Sequence, residues 1–128
     1  CPFYDAWIAS SDADLRRTRD AIAARDFETL GRVAESNALR MHAVCLASEP
    51  PIVYWTPGTM ELIRRIQALR TEGVAAWLSI DAGPNVFAIC RAADETLVVA
   101  ALEALPSVQR CLSSGPGPDA RTTQEHLF

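Results

Sequence analysis

The residues best placed to do chemistry in this sequence are Ser79-Ile80-Asp81-Ala82-Gly83-Pro84-Asn85. The apolar run from Val74 to Ile80 ends there, and a turn built from residues that tolerate tight backbone geometry begins. A carboxylate at such a junction is held by the strand while facing a cleft, which is what a general base needs. The bland alternative is that Asp81 accepts N–H bonds of its own turn and does nothing more. The amides of Ala82 and Gly83 are turn donors that a phosphate could approach, and Asn85 reads as a residue that shapes the turn. His42 lies in a helical pattern rich in apolar residues and reads as a core or boundary histidine rather than a catalyst. Gly115-Pro116-Gly117-Pro118 looks like a phosphate loop, but its prolines remove the donors, so it reads as a turn. The arginines near the N-terminus suit a solvated helix face, and Arg40 is the one to look for near a cleft.

Composition removes several chemistries. All 12 basic residues are arginine, so this chain holds neither a P-loop lysine nor a Schiff-base lysine. The net charge of −4 argues against nucleic acid as a partner. No apolar run approaches the roughly 18 residues of a membrane span. Cys1, Cys45, Cys90 and Cys111 are widely spread, without a CxxC or a histidine cluster at metal-ligand spacing. They read as buried thiols of a cytoplasmic protein, with no metal site. The length of 128 residues suits one domain, 1–128, able to bury roughly two-thirds of the surface of its unfolded chain.

The elements that must position the turn follow from periodicity and punctuation. Trp7, Ile8, Leu15 and Ile22 predict a first helix, with Ser10-Ser11-Asp12 set to bend or restart it. Asp26 is the N-cap expected for a second helix, whose stripe is Phe27, Leu30, Ala34, Met41 and Cys45 and which ends before Pro50-Pro51. Thr56-Pro57 starts a third helix and Gly73 ends it, with Met60, Ile63, Ile66 and Leu69 or Arg70 along its faces. Val74 to Ile80 and Val86 to Cys90 read as strands. A fourth helix is expected from Asp94 to Leu105, with Leu97, Val98, Ala101 and Leu102 inward, and a third strand over Val108 to Leu112. Ile52 to Trp55 would add another strand and complete a ferredoxin-like antiparallel sheet packed with helices, an α+β fold. Leu127 and Phe128 would anchor the tail.

Asp81-Ala82-Gly83-Pro84-Asn85 matches the DAGPN signature of diphosphomevalonate decarboxylases. Three further segments resemble that family in the same order. Asn37-Ala38-Leu39-Arg40-Met41-His42-Ala43 is similar to its N-A-L-x-M-H-A helix. Pro50-Pro51-Ile52-Val53-Tyr54-Trp55 is similar to its P-P-[IF]-x-Y-[WL] segment. Pro2-Phe3-Tyr4-Asp5-Ala6-Trp7 resembles S-x-F-Y-x-x-W, and Asp26-Phe27-Glu28 with Gly31 and Glu35 fits the helix between. The resemblance implies the GHMP kinase C-terminal domain fold, that is, the C-terminal lobe of a two-lobed enzyme.

It also implies an activity. The 3-hydroxyl of mevalonate 5-diphosphate takes the γ-phosphoryl group of ATP, then phosphate and carbon dioxide leave to give isopentenyl diphosphate. Asp81 would be the base at that hydroxyl, with Ala82, Gly83 and Arg40 as candidate substrate contacts. ATP and Mg2+ would be bound mainly by the N-terminal lobe, and the isolated lobe would be inactive. The implied partners are a small-molecule isoprenoid precursor, the N-terminal lobe of the same enzyme and, as a further option, a second copy in a homodimer. Separation from the N-terminal lobe should expose an apolar face. Several bacterial members carry a serine-arginine pair where Cys1 and Pro2 stand here, which brings in mevalonate 5-phosphate as an alternative substrate. The alternative of another class is a stand-alone ferredoxin-like binding or dimerisation module.

Overall fold

The structure is a computed structural model describing residues 1–119 and 122. Its elements run α1 (Tyr4–Ala24), α2 (Phe27–Leu46), α3 (Pro57–Thr71), β1 (Ala76–Ile80), β2 (Val86–Cys90), a 3-10 turn at Ala92–Asp94, and α4 (Glu95–Glu103). This is the expected α+β class, with helices packed on an antiparallel sheet. The sheet has two strands, in the register Ala76↔Cys90 to Ile80↔Val86.

Two expected strands do not form. Ile52–Trp55 and Val108–Leu112 run without ladder partners. Both have strand-like composition, but a strand is stabilised by its neighbours across a ladder. Instead, Ile52 N–H bonds back to the Cys45 carbonyl at 3.0 Å, and Cys111 N–H bonds to the Glu103 carboxylate at 3.1 Å. The expectation for Leu127 and Phe128 lies outside the described residues.

Local signals account for the helix ends. The Asp26 carboxylate accepts from Thr29 N–H at 3.0 Å and caps α2. Thr56 caps α3, with Pro57 at its first position. Gly73, at φ 90°, closes α3 through Val74 N–H to the Leu69 carbonyl and Gly73 N–H to the Arg70 carbonyl. That is the paired closure a left-handed residue makes possible. α1 does not restart at Ser10-Ser11-Asp12 but runs unbroken through it. The Ser10 and Ser11 hydroxyls bond back to the Trp7 carbonyl at 2.8 and 3.0 Å, so both serines are satisfied within the helix.

The core forms on one face of the hairpin. Ala76, Leu78 and Ile80 alternate inward along β1 and pack with Ile63, Ile66 and Leu69 of α3 and Val98 and Leu102 of α4. Each such leucine or isoleucine contributes about 1.5–3 kcal/mol on burial. Leu97, expected inward, is exposed, as is Met60 of α3. Trp77 points to the opposite face and lies against Gly31 of α2, where a Cβ would overlap the indole. The Arg70 guanidinium covers the same ring, 4.4 Å from its centroid.

α2 buries Gly31, Glu35, Ala38 and His42, along with Val33. The predicted stripe Phe27, Leu30, Ala34, Met41 and Cys45 is only half-buried. Glu35 meets Arg70 in a two-pronged pair at 2.8 and 2.9 Å. It also accepts Leu78 N–H at 3.1 Å, while Arg70 donates to the Ala76 carbonyl at 2.7 Å. The pair therefore occupies backbone groups of β1 that would otherwise face a neighbouring strand. On α1 the buried residues are Asp14 and Ala21. Tyr4, Ile8, Leu15 and Ile22 are exposed, so most of the predicted apolar stripe faces outward.

Candidate active site: the Asp81 turn and its groove

Asp81 follows the last residue of β1, Ile80, which is 2% exposed and pairs with Val86. The carboxylate therefore starts from a buried anchor while the turn itself stays outside the core. Asp81, Ala82, Pro84 and Asn85 are exposed and Gly83 half-buried. The Asp81 side chain has no hydrogen-bond or ion-pair partner among the described residues. The bland alternative, a carboxylate bonded to its own turn, is not what forms. The Gly83 N–H instead donates to the Asp81 main-chain carbonyl at 2.8 Å. That engages one of the two candidate turn amides and leaves Ala82 N–H without a partner among the described residues. The turn is tied to α3 where the Thr59 hydroxyl donates to the Pro84 carbonyl at 2.8 Å.

Asp81 sits at one end of a groove of about 360 Å³ between α1, α2 and the end of β1. Ser79 and Ile80 continue its wall from β1, Asn37, Ala38 and Met41 line it from α2, and Ser11, Asp14, Leu15 and Thr18 from α1. Asp14 is 5% exposed. Its charge is met by Arg40 at 3.1 Å, by the Asn37 amide at 3.2 Å and by Arg17 at 3.7 Å. Arg40 also donates to the Ser10 hydroxyl at 3.0 Å and to the Ser36 carbonyl at 3.2 Å. Arg40 thus lies on the α1–α2 seam behind Asp14 and is not among the residues that line the groove with Asp81.

Other chemistries have little support here. His42 is 2% exposed and packs against Trp55 and Tyr54, with Nε2 unpartnered among the described residues. It is a core residue. All four cysteines are free. None of them is buried as expected: Cys1, ahead of the first helical turn, is exposed, and Cys45, Cys90 and Cys111 are half-buried. Burial first, then nearby carboxylates, raise the Cys90 and Cys111 thiols above their usual range, which disfavours a thiolate nucleophile at neutral pH. Gly115–Pro118 is exposed and irregular. No group of three or more His, Cys, Asp or Glu side chains that could hold a metal ion occurs among the described residues. No helix there is long and apolar enough to cross a membrane.

Sequence reasoning located Asp81 but missed Asp14 and Thr59. Asp14 carries no signal, being a charged residue among charged residues on α1. Thr59 had one: it stands three residues after the capping Thr56, where a reciprocal cap is made.

A hairpin buried on one face beneath helices, with a DAGPN turn at its tip, defines the class: an α+β lobe of the mevalonate diphosphate decarboxylase type. The chain belongs to the mevalonate 5-diphosphate decarboxylase C-terminal domain family, whose profile matches residues 9–122. It is 25% identical over 126 residues to the diphosphomevalonate decarboxylase of Candida albicans, covering 85% of this chain and 35% of that protein. It is 29% identical over 85 residues to the phosphomevalonate decarboxylase of Haloferax volcanii, covering 66% and 26%. The mevalonate diphosphate decarboxylase of Enterococcus faecalis, solved in work on ATP binding mediated by mevalonate diphosphate, superposes with a TM-score of 0.77 at 32% identity, covering 80% of this chain and 32% of that one. Another solved structure, also 32% identical with a TM-score of 0.77 and covering 80% and 31%, is a complex with MVAPP, AMPPCP and magnesium. The chain thus spans about a third of the length of such relatives.

Proposed function

We propose that this chain is the C-terminal lobe of a two-lobed, ATP-dependent decarboxylase. The enzyme would convert mevalonate 5-diphosphate to isopentenyl diphosphate, with Asp81 as the base at the substrate's 3-hydroxyl. The observation that carries the reading is the exposed Asp81 carboxylate, unpartnered among the described residues, at the rim of a groove and rooted in a buried strand. A carboxylate without competing donors is available to accept a hydroxyl proton, whereas one satisfied by its own turn is not. Ala82 N–H has no partner among the described residues and would meet a substrate oxygen. Gly83 would need to release the Asp81 carbonyl to do the same.

The ATP analogue and magnesium of the related complex support nucleotide-dependent chemistry. ATP would supply the phosphoryl group that turns the hydroxyl into a leaving group. The turn offers a carboxylate and neutral amides, and the chain has no lysine. That set brings no cation to a triphosphate, so we assign the nucleotide, and the magnesium that accompanies its phosphates, to the N-terminal lobe. The outward apolar residues of α1, Tyr4, Ile8, Leu15 and Ile22, suit a surface that such a lobe covers.

The test joins this chain to its N-terminal lobe and follows decarboxylation. Asp81→Asn should lower kcat by about 10²–10⁴-fold, the range for removing a general base. Retention of full activity by that variant would end the reading.

A second reading concerns the substrate. The Haloferax relative is named a phosphomevalonate decarboxylase, and Pro2 supplies no guanidinium to grip a second phosphate. Turnover compared on mevalonate 5-phosphate and mevalonate 5-diphosphate decides between them. Failure of the two-lobed enzyme to turn over either compound would favour the stand-alone module.

A further inference from the structure

The Thr59 hydroxyl couples two structures that sequence order keeps apart: the N-terminus of α3 and the turn carrying Asp81. Thr59 is 1% exposed. Its hydroxyl donates to the Pro84 carbonyl at 2.8 Å, accepts from Thr56 N–H at 3.1 Å, and lies 3.1 Å from the Thr56 hydroxyl. A hydroxyl has one proton to give. Thr59 spends it on Pro84, so Thr56 is the donor within the hydroxyl pair. The two threonines therefore divide the work. Thr56 caps the helix by accepting Thr59 N–H at 3.2 Å, and Thr59 reaches across to the turn.

That reach is the turn's only hydrogen bond to another element among the described residues. The bond from Gly83 to Asp81 is internal to the turn. Nothing lies within 4 Å of a Cβ built on Gly83, so no packing braces the turn there. Residues 81–85 link Ile80 to Val86, and among the described residues the Thr59 bond is the one hydrogen bond that joins them to another element.

We propose that Thr59 is a positioning residue for the Asp81 carboxylate. Its buried hydroxyl, acting through the Pro84 carbonyl, fixes the pose of the turn and hence the reach of the carboxylate to the reacting hydroxyl. The inference rests on the reading of Asp81 as the base. Thr59 touches no substrate, so its loss should fall on kcat and spare KM. A misplacement of about 1 Å can cost about 10²-fold in rate.

The experiment uses the two-lobed enzyme and four variants. Thr59→Val removes the tether and the reciprocal cap. Thr56→Val removes the cap acceptor and leaves the Thr59–Pro84 bond. Thr59→Ser restores the hydroxyl, and Asp81→Asn is the reference. Thr59→Val should lower kcat about 10–100-fold with KM within about twofold, Thr59→Ser should recover most of it, and Thr56→Val should stay near wild type. Hydrogen exchange of the Gly83 amide, the turn amide that is bonded, should quicken in Thr59→Val and not in Thr56→Val, a readout that does not depend on turnover. Equal losses in Thr56→Val and Thr59→Val would assign the effect to the helix cap and overturn the inference. So would an undiminished kcat in Thr59→Val, or a serine variant no better than valine. If valine prevents folding, Thr59→Ala against Thr59→Ser makes the same comparison. An inactive Asp81→Asn beside a fully active Thr59→Val would overturn this inference alone. A fully active Asp81→Asn would overturn the reading of the base and this inference with it.

Discussion

Glu35 and Asp81 lie at opposite extremes of what a carboxylate can do in a protein. Glu35 is enclosed by Arg70 on both oxygens and by Leu78 N–H. Asp81, three residues beyond Leu78, is exposed with no side-chain partner among the described residues. A buried carboxylate must be met by donors, because leaving its charge unpaired costs several kcal/mol. An exposed one keeps its lone pairs for water or for a ligand. The difference separates a carboxylate that holds the fold from one left available to react.

The contrast can be broken from either side. The largest effect should come from Asp81→Asn in the two-lobed enzyme. Activity should fall by two orders of magnitude or more, while unfolding free energy moves by less than about 0.5 kcal/mol. Denaturant titration beside the rate assay separates the two. Glu35→Gln should do the reverse, costing about 3 kcal/mol of stability. That is the low end for a broken buried pair, because Arg70 keeps 23% of its side chain in water. A urea midpoint unchanged by Glu35→Gln would refute the structural role. Gly31→Ala should cost about 1–3 kcal/mol by the same measurement, since the new Cβ meets the Trp77 indole that Arg70 covers.

The smallest effect depends on pH. The Thr29 backbone N–H first, and then the Thr29 side chain, hold the Asp26 carboxyl below its ordinary value of 3.8. A depressed acid stabilises the fold above its unfolded pKa, and that contribution is lost as pH falls through the lower folded value. Asp26→Asn still caps α2. It should match the wild type at neutral pH and show a flatter decline in melting temperature below about pH 4.

Much of this was legible from residues alone. Thr56-Pro57 and Gly73 marked the ends of α3, Asp26 marked the start of α2, and the DAGPN turn lay where the hairpin turns. What escaped was set by contacts remote in sequence. Apart from Val33, the buried residues of α2 are Gly31, Glu35, Ala38 and His42, a row in which hydrophobicity is almost silent. Glycine is there for the Trp77 ring and glutamate for Arg70 and the β1 backbone. The stripe of Leu30, Ala34 and Met41 was visible and proved only half-buried. Asp81 was readable as a position but not as an open carboxylate, because an aspartate bonded to its own turn has the same spelling. Ile52–Trp55 and Val108–Leu112 have the side chains of strands, yet a ladder also needs a neighbour.

The Glu35–Arg70 pair also makes the hairpin one-sided with respect to self-association. Leu78 sends its N–H to Glu35, away from β2, so its partner Ala88 also turns its own N–H and carbonyl outward. Val86, Ala88 and Cys90 make no backbone hydrogen bond to a further strand among the described residues. One margin of the ribbon is thus closed to a stray chain by side chains already in place, while the other remains a template for recruitment. A strand added to this hairpin would find unbonded backbone groups along β2, and side chains already in place along β1.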